Sequence, residues 1–155
     1  MKTILLLSSL LVLVGCKYDA PLTDKPTREV DSALLGSWFS LADGKPLDVF
    51  RLSAVEYLVV DDKTPYVCTH SDFAGISFIS CRQIKNDKDA YGKFAYIAYR
   101  IENGELVTMN LSEALVIKEN ATPREVRLLI GIAAKDSKAL DTSPEHVGRY
   151  KKKTG

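Results

Sequence analysis

Two tight turns do most to limit what this chain can fold into. Ala74-Gly75 separates the runs 66–73 and 76–83, and Asn103-Gly104 separates 94–102 from 105–111; the flanking runs carry many aromatic and β-branched residues. Asn-Gly suits a type I′ turn because both residues tolerate positive φ, and that turn matches the twist of paired strands. Further short strands are expected at 47–52 and 56–60, bounded by Asp43-Gly44-Lys45-Pro46 and by the polar run 61–65, with a polar loop at 86–92. Evenly spaced strands joined by tight turns favour a meander that curls until its edges meet. The expected fold is mainly β (a β-rich α+β chain): a small antiparallel meander closing into a barrel, with a C-terminal amphipathic helix.

The first hairpin also pairs two cysteines. With Ala74-Gly75 as a two-residue loop, Phe73 faces Ile76 in a hydrogen-bonded pair. Counting outward sets Cys68 opposite Cys81 in a non-hydrogen-bonded pair, where side chains approach most closely. A cross-strand disulfide is expected in an oxidising compartment. Cys68, His70 and Asp72 share a strand face, so a Cys-His-Cys metal site is conceivable, but it lacks a fourth ligand and a closely spaced cysteine pair, and no metal is expected. His70-Ser71-Asp72 contains three triad residue types side by side. Strand neighbours point to opposite faces, so Ser71 cannot meet His70 there. His146 has no evident partner, and the carboxylate pairs Asp61-Asp62 and Asp87-Asp89 read as solvated turn residues. No Gly-rich phosphate loop, zinc-protease helix or nucleophile elbow is present, which argues against an enzyme and against a cofactor.

The start of the chain speaks to location. Lys2, an apolar run at 4–14 broken only by Ser8 and Ser9, and then Gly15-Cys16 form a secretory leader. The run is too short to span a bilayer, which takes about 20 apolar residues. Leu13-Val14-Gly15-Cys16 resembles the lipobox of bacterial lipoproteins. That resemblance implies cleavage before Cys16, acylation of its thiol and amine, and attachment to a membrane through Cys16. Lys17, rather than Asp, follows the lipid site, which in the enteric sorting rule of that family implies the outer membrane; its periplasmic face is expected over the cell surface.

The expected layout is a signal peptide at 1–15, a lipidated flexible tether at 16–31, one domain at 32–150 and a basic tail at 151–155. Residues 17–31 hold two prolines and many charges with little apolar spacing, as an extended tether would. Fully stretched, such a segment reaches about 50 Å. The chain has 155 residues, 46% hydrophobic and 26% charged, which suits one packed globule. Removing the leader takes away Lys2 from a net charge of +1, and a near-neutral body gives no pull toward nucleic acid. The cluster Arg149 to Lys153 reads as a frayed, solvated end, with attraction to anionic lipid or peptidoglycan as the alternative.

Within the domain, 32–35 suggests a short helical turn and Gly36-Ser37-Trp38 opens a strand. Gly36-Ser37-Trp38 resembles the Gly-x-Trp of lipocalins and other calycins, which implies that Trp38 closes one barrel end and is a candidate binding residue. Thr122-Pro123-Arg124-Glu125 forms a capping box, and Val126, Leu129, Ile130 and Ala133 follow at helical spacing. The run 112–119 fits either a helix or a strand, and 146–151 could return as an edge strand. The expected function is a non-catalytic envelope binding module, leaning to a periplasmic protein partner, such as an inhibitor or immunity-type factor. The alternatives are a lipocalin-like carrier of a small apolar ligand and a structural outer-membrane lipoprotein. A cavity above about 300 Å³ inside the barrel would favour the carrier.

Overall fold

Eight strands pair in chain order and close into an antiparallel barrel: β1 (Gly36–Ser40), β2 (Pro46–Arg51), β3 (Glu56–Asp61), β4 (Thr64–His70), β5 (Phe78–Ile84), β6 (Tyr91–Glu102), β7 (Glu105–Met109) and β8 (Gly148–Lys152). The computed structural model describes residues 18–84 and 91–155. The expected leader, Cys16, Lys17 and the Asp87-Asp89 pair lie outside the described residues. The closed mainly β architecture, with one α-helix among the described residues, α1 (Pro123–Ala134) near the C-terminus, is that of a calycin-like barrel.

The turns explain the register. Asn103 and Gly104 sit at φ 52° and 77°, and Ala74 and Gly75 at 52° and 75°, the doubly left-handed pattern of a type I′ hairpin. Phe73 and Ile76 exchange two backbone hydrogen bonds of 3.0 Å each. From there the ladder runs to Cys68 opposite Cys81, with Cα atoms 4.1 Å apart and the sulfurs bonded. The helix begins as the capping box requires: the Thr122 N–H donates to Glu125 Oε2 at 2.7 Å, and the Glu125 N–H donates to the Thr122 hydroxyl at 3.3 Å.

Two apolar cores result. Inward side chains from alternate strand positions, among them Trp38, Leu47, Val49, Tyr57, Cys68, Tyr99 and Tyr150, fill the barrel. A second core lies outside the wall, where Phe78, Tyr96, Ala98 and Met109 on β5–β7 meet Val126 and Ile130 of α1 and Tyr18 and Leu22 of the N-terminal segment.

That second core corrects the tether. Over its described part, residues 18–31 form a strap across the barrel, with Tyr18, Leu22 and Val30 buried. The Tyr18 N–H and C=O pair with Phe94 at 3.2 and 2.7 Å, and the Leu22 N–H donates to Ser80 Oγ at 2.9 Å. Burial of three well-separated apolar residues outweighs the freedom that the prolines and charges suggested. The strap ends in a 3₁₀ turn (Ser32–Leu34) capped by Asp31, whose carboxylate accepts from the Ala33 N–H.

Other boundaries move as well. Residues 112–119 are neither helix nor strand. β8 is not an edge: it lies between β7 and β1, so Lys151 and Lys152 belong to the barrel and the domain runs through Lys152. Asp61 is the last residue of β3 and faces the interior with Tyr57 and Val59, not the solvent of a turn.

Reducing the Cys68–Cys81 bond should lower stability by about 3 kcal/mol, the chain-entropy value for so short a loop. The check is a denaturant titration of the oxidised domain against the Cys68→Ala, Cys81→Ala double variant, with equal midpoints counting against a stabilising bridge.

Candidate functional site

The strands alternate direction, so the turns after β2, β4 and β6 share one end of the barrel with the start of β1. At this lower end the strap crosses the opening. The Thr27 N–H donates to the His70 carbonyl at 3.0 Å, the Asp72 N–H donates to the Thr27 hydroxyl at 2.8 Å, and the Val30 N–H donates to the Ala54 carbonyl at 2.9 Å. Leu34 then drops into the barrel, where its carbonyl accepts from the Trp38 indole N–H at 2.9 Å.

A polar cluster sits under this crossing. His70 is fully buried, and its Nε2 lies 2.6 Å from the Tyr57 hydroxyl, which also accepts from the Asp31 N–H at 2.5 Å. Arg28 reaches across from the strap: it donates to the Tyr99 hydroxyl at 2.5 Å and to Asp72 Oδ2 at 2.7 Å, and lies 3.6 Å from Asp31 Oδ2. His70 Nδ1 and Asp72 Oδ1 face each other at 3.8 Å, and neither has a hydrogen-bond partner. Burial pushes the His70 pKa below its usual value, and the Arg28 guanidinium pushes it the same way; Asp72 and Asp31 oppose them and lose. The imidazole is therefore neutral near neutral pH. Burial also raises the Tyr57 and Tyr99 phenols, which remain protonated.

The imidazole at its centre is enclosed, while Arg28, Asp31 and Asp72 are partly exposed, and this limits the cluster's chemistry. Ser71 turns away from His70, accepting from the Thr23 hydroxyl and the Ser80 hydroxyl at 2.9 Å each, so the three adjacent triad residue types form no triad. Cys68 and Cys81 are bonded to each other, and among the described residues no group of three His, Cys, Asp or Glu side chains could hold a metal ion. Trp38 is buried inside the barrel above the 3₁₀ turn, with Lys152 Nζ 5.2 Å from its ring centroid. The Cys16 lipid site lies outside the described residues. His146 does have a partner: its Nδ1 lies 2.7 Å from Asp141 Oδ2, and this contact raises the imidazole pKa and helps to lower that of the carboxyl.

The barrel interior is nearly filled. The cavity enclosed by Leu47, Val49, Tyr57, Val59, Ile97 and Leu106 measures about 60 Å³. Asp61 lines its upper part, where burial and the neighbouring Asp62 push its carboxyl from the usual 3.8 up to about 6, against the pull of Lys45.

A larger groove of about 1060 Å³ opens at the upper end, along the β6 edge that β7 leaves uncovered; Tyr18, Lys93, Leu115, Ile117 and Lys118 are among its lining residues. The outer wall of β2–β4 carries an apolar row between polar positions such as Asp48 and Thr69. Phe50, Leu58 and Val67 stand in one cross-strand row, and Phe50 is 52% exposed.

The strap's part in the site escaped sequence reasoning because Tyr18, Leu22, Arg28 and Val30 follow no helical or strand period. The signal for Asp61 was present, since it continues the alternation Tyr57, Val59. Compared with protein-family models, curated proteins and solved structures, the chain matches none. Among the described residues no helix is long and apolar enough to cross a membrane.

Two pH effects of opposite sign follow. Asp61 titrates higher when folded, so its contribution favours the folded state at low pH and is lost as pH rises from the unfolded value of 3.8 through about 6. Asp61→Asn should therefore stabilise the domain at pH 7.5 by about 1 kcal/mol, less than an enclosed group would give because solvent still screens this one, and should gain nothing at pH 4. Thermal melts at the two pH values decide it. His70 titrates lower when folded, so its contribution is fully present above the unfolded value near 6.5 and is lost as pH falls toward the folded one. In the Asp61→Asn background the melting temperature should fall between pH 7 and 5, and adding His70→Asn should flatten that slope; an unchanged slope would clear His70 of the role.

Proposed function

We propose that this chain is a non-catalytic lipoprotein of the bacterial envelope, anchored through acylated Cys16 to the outer membrane, whose barrel binds another protein. An inhibitor or immunity-type factor in the periplasm fits this description. The observation that carries the reading is the filled interior. The void inside the barrel, about 60 Å³, holds a water or two, whereas small-molecule sites begin near 300 Å³; the groove of about 1060 Å³ at the upper end is a separate, open surface feature. The disulfide, the outer core and the strap's polar cluster stiffen the barrel further, and a rigid surface loses little entropy on binding.

The wall of β2–β4 supplies the contact. An exposed aromatic beside aliphatic neighbours is the composition of an interface centre, and Phe50 is the side chain best placed to act as its anchor. The polar cluster around His70 is a structural latch, because no solute reaches a fully buried imidazole.

The test uses the lipid-free domain, residues 17–155, on two readouts. Native mass spectrometry should find it free of fatty acid, and a fluorescent fatty acid should gain no emission on mixing. Affinity capture from periplasmic extract should retain a protein that Phe50→Asp loses while its melting temperature stays unchanged. A stoichiometric apolar ligand, displaced when the barrel interior is enlarged or filled by substitution, would establish the carrier instead.

A further inference from the structure

We propose that α1 pairs with the α1 of a second copy of this chain, the two helices lying side by side and parallel about a two-fold axis. A helix on the outside of a barrel ordinarily has one apolar stripe, turned to the wall, and polar residues elsewhere. α1 has that inner stripe, since Val126 and Ile130 are buried against β5–β7. Its outer face is apolar as well. Leu128 is 65% exposed and Ile132 59%, and neither joins a core. Four residues apart, they stand one above the other as a second stripe.

Charge says what covers this stripe. An α-helix advances about 100° per residue, so Arg124 and Lys135 fall together beside Leu128, and Glu125 and Asp136 fall together beyond Ile132. All four are exposed, and among the described residues Arg124, Lys135 and Asp136 have no ion-pair partner. The capping box fixes Glu125, whose Oε2 accepts from the Thr122 N–H and hydroxyl at 2.7 and 2.9 Å. The Asp136 N–H donates to the Ala133 carbonyl at 3.1 Å, which carries the last turn through that residue.

A stripe with one basic and one acidic margin complements itself in a single orientation. With the axis along the helices, each basic margin meets the other copy's acidic margin at the same height. Arg124 then faces the second copy's Glu125, and Lys135 faces its Asp136. Reversing one helix still packs the stripes, but it sets Arg124 beside the second copy's Lys135 and Glu125 beside its Asp136, which opposes like charges. An anionic bilayer fits no better, because it repels the acidic margin.

The two aliphatic side chains agree with the parallel pair. Residues four apart take the d and a places of a coiled-coil seam, and Leu at d with Ile at a favours two parallel strands. The next places along the seam are Glu125 and Lys135, so the apolar contact is short and charge holds its ends. One 12-residue helix per copy puts this contact among the small, transient interfaces. The pairing requires neither acylation of Cys16 nor a partner on the β2–β4 wall, which α1 does not cover.

The experiment uses the full chain in the cells that express it. Leu128→Cys and Ile132→Cys, each alone and both at exposed positions, are oxidised with copper phenanthroline and read on a non-reducing gel beside the wild type. A parallel pair brings each new thiol to its own copy across the axis, so each variant should give a disulfide-linked dimer that the wild type lacks. Adding Lys135→Asp to Leu128→Cys turns two attractive pairs repulsive and should lower the dimer yield about fivefold. Adding Asp136→Lys as well lets opposite charges meet again and should restore it. The pairing is overturned if neither single variant dimerises, if dimer forms only when the two are co-expressed, as an antiparallel pair requires, or if the exchange of charges restores nothing. A cross-link to a different protein in place of the dimer would overturn it too.

Discussion

The pairing of β8 with β1 turns a meander into a tube, and most other features answer the problems that closure creates. Trp38, Phe39 and Ser40 meet Lys152, Lys151 and Tyr150, so the first and last strands of the meander pair with each other and neither is left as an edge. A closed tube of eight strands has an interior that its own side chains can just fill, and here Tyr57, Tyr66, Tyr99, Trp38 and Tyr150 supply the bulk. Five large rings leave little free volume, which is why the cavity is small. The lower opening is then sealed by the strap and the 3₁₀ turn, with Leu34 as the stopper.

Sealing that end with a polar cluster needs explanation, since burying an imidazole and two phenols beneath a half-exposed guanidinium is costly unless each finds partners. Most do. Tyr57 links His70 to the Asp31 N–H, and Arg28 joins Tyr99 to Asp72. The two atoms left over, His70 Nδ1 and Asp72 Oδ1, are close enough to attract once a proton arrives, so acid does not simply expel the imidazole. What the cluster contributes is position. Its partners come from the strap, β3, β4 and β6 and the turn after β4, and they fit only if the strap crosses in this register. The price of that precision is an end of the barrel that no ligand can enter.

The legible parts of the chain were those with a local rule. The Asn103-Gly104 turn, the count from Ala74-Gly75 to the cysteine pair and the Thr122–Glu125 box each follow from a few neighbouring residues, and the structure has all three. The strap follows no such rule. Tyr18, Leu22 and Val30 are held by residues 50 or more positions away or by isolated turns, so their burial depends on a surface that exists only after the barrel has formed. Closure was half legible: a final strand could be read at 146–151, but its place between β7 and β1 could not, because pairing across the whole chain leaves no trace in spacing. The run 112–119 was ambiguous for a related reason. Its apolar residues cover the second core and the groove without regular backbone, so neither period could describe them.

The outer surface of the barrel is divided by the same packing. The strap, α1 and the rest of the run 111–147 cover the wall of β5–β7, and the wall of β2–β4 continues round the ring from it through the β4–β5 pairing. That wall keeps Phe50, Leu58 and Val67 beside one another, and among the described residues no helix or strap segment joins them in a core cluster. An apolar row on a stiff sheet is a liability for a freely tumbling protein, since it invites self-association. Filling the interior and fixing the strap thus leave this row, on the side wall of the barrel, as an exposed apolar surface.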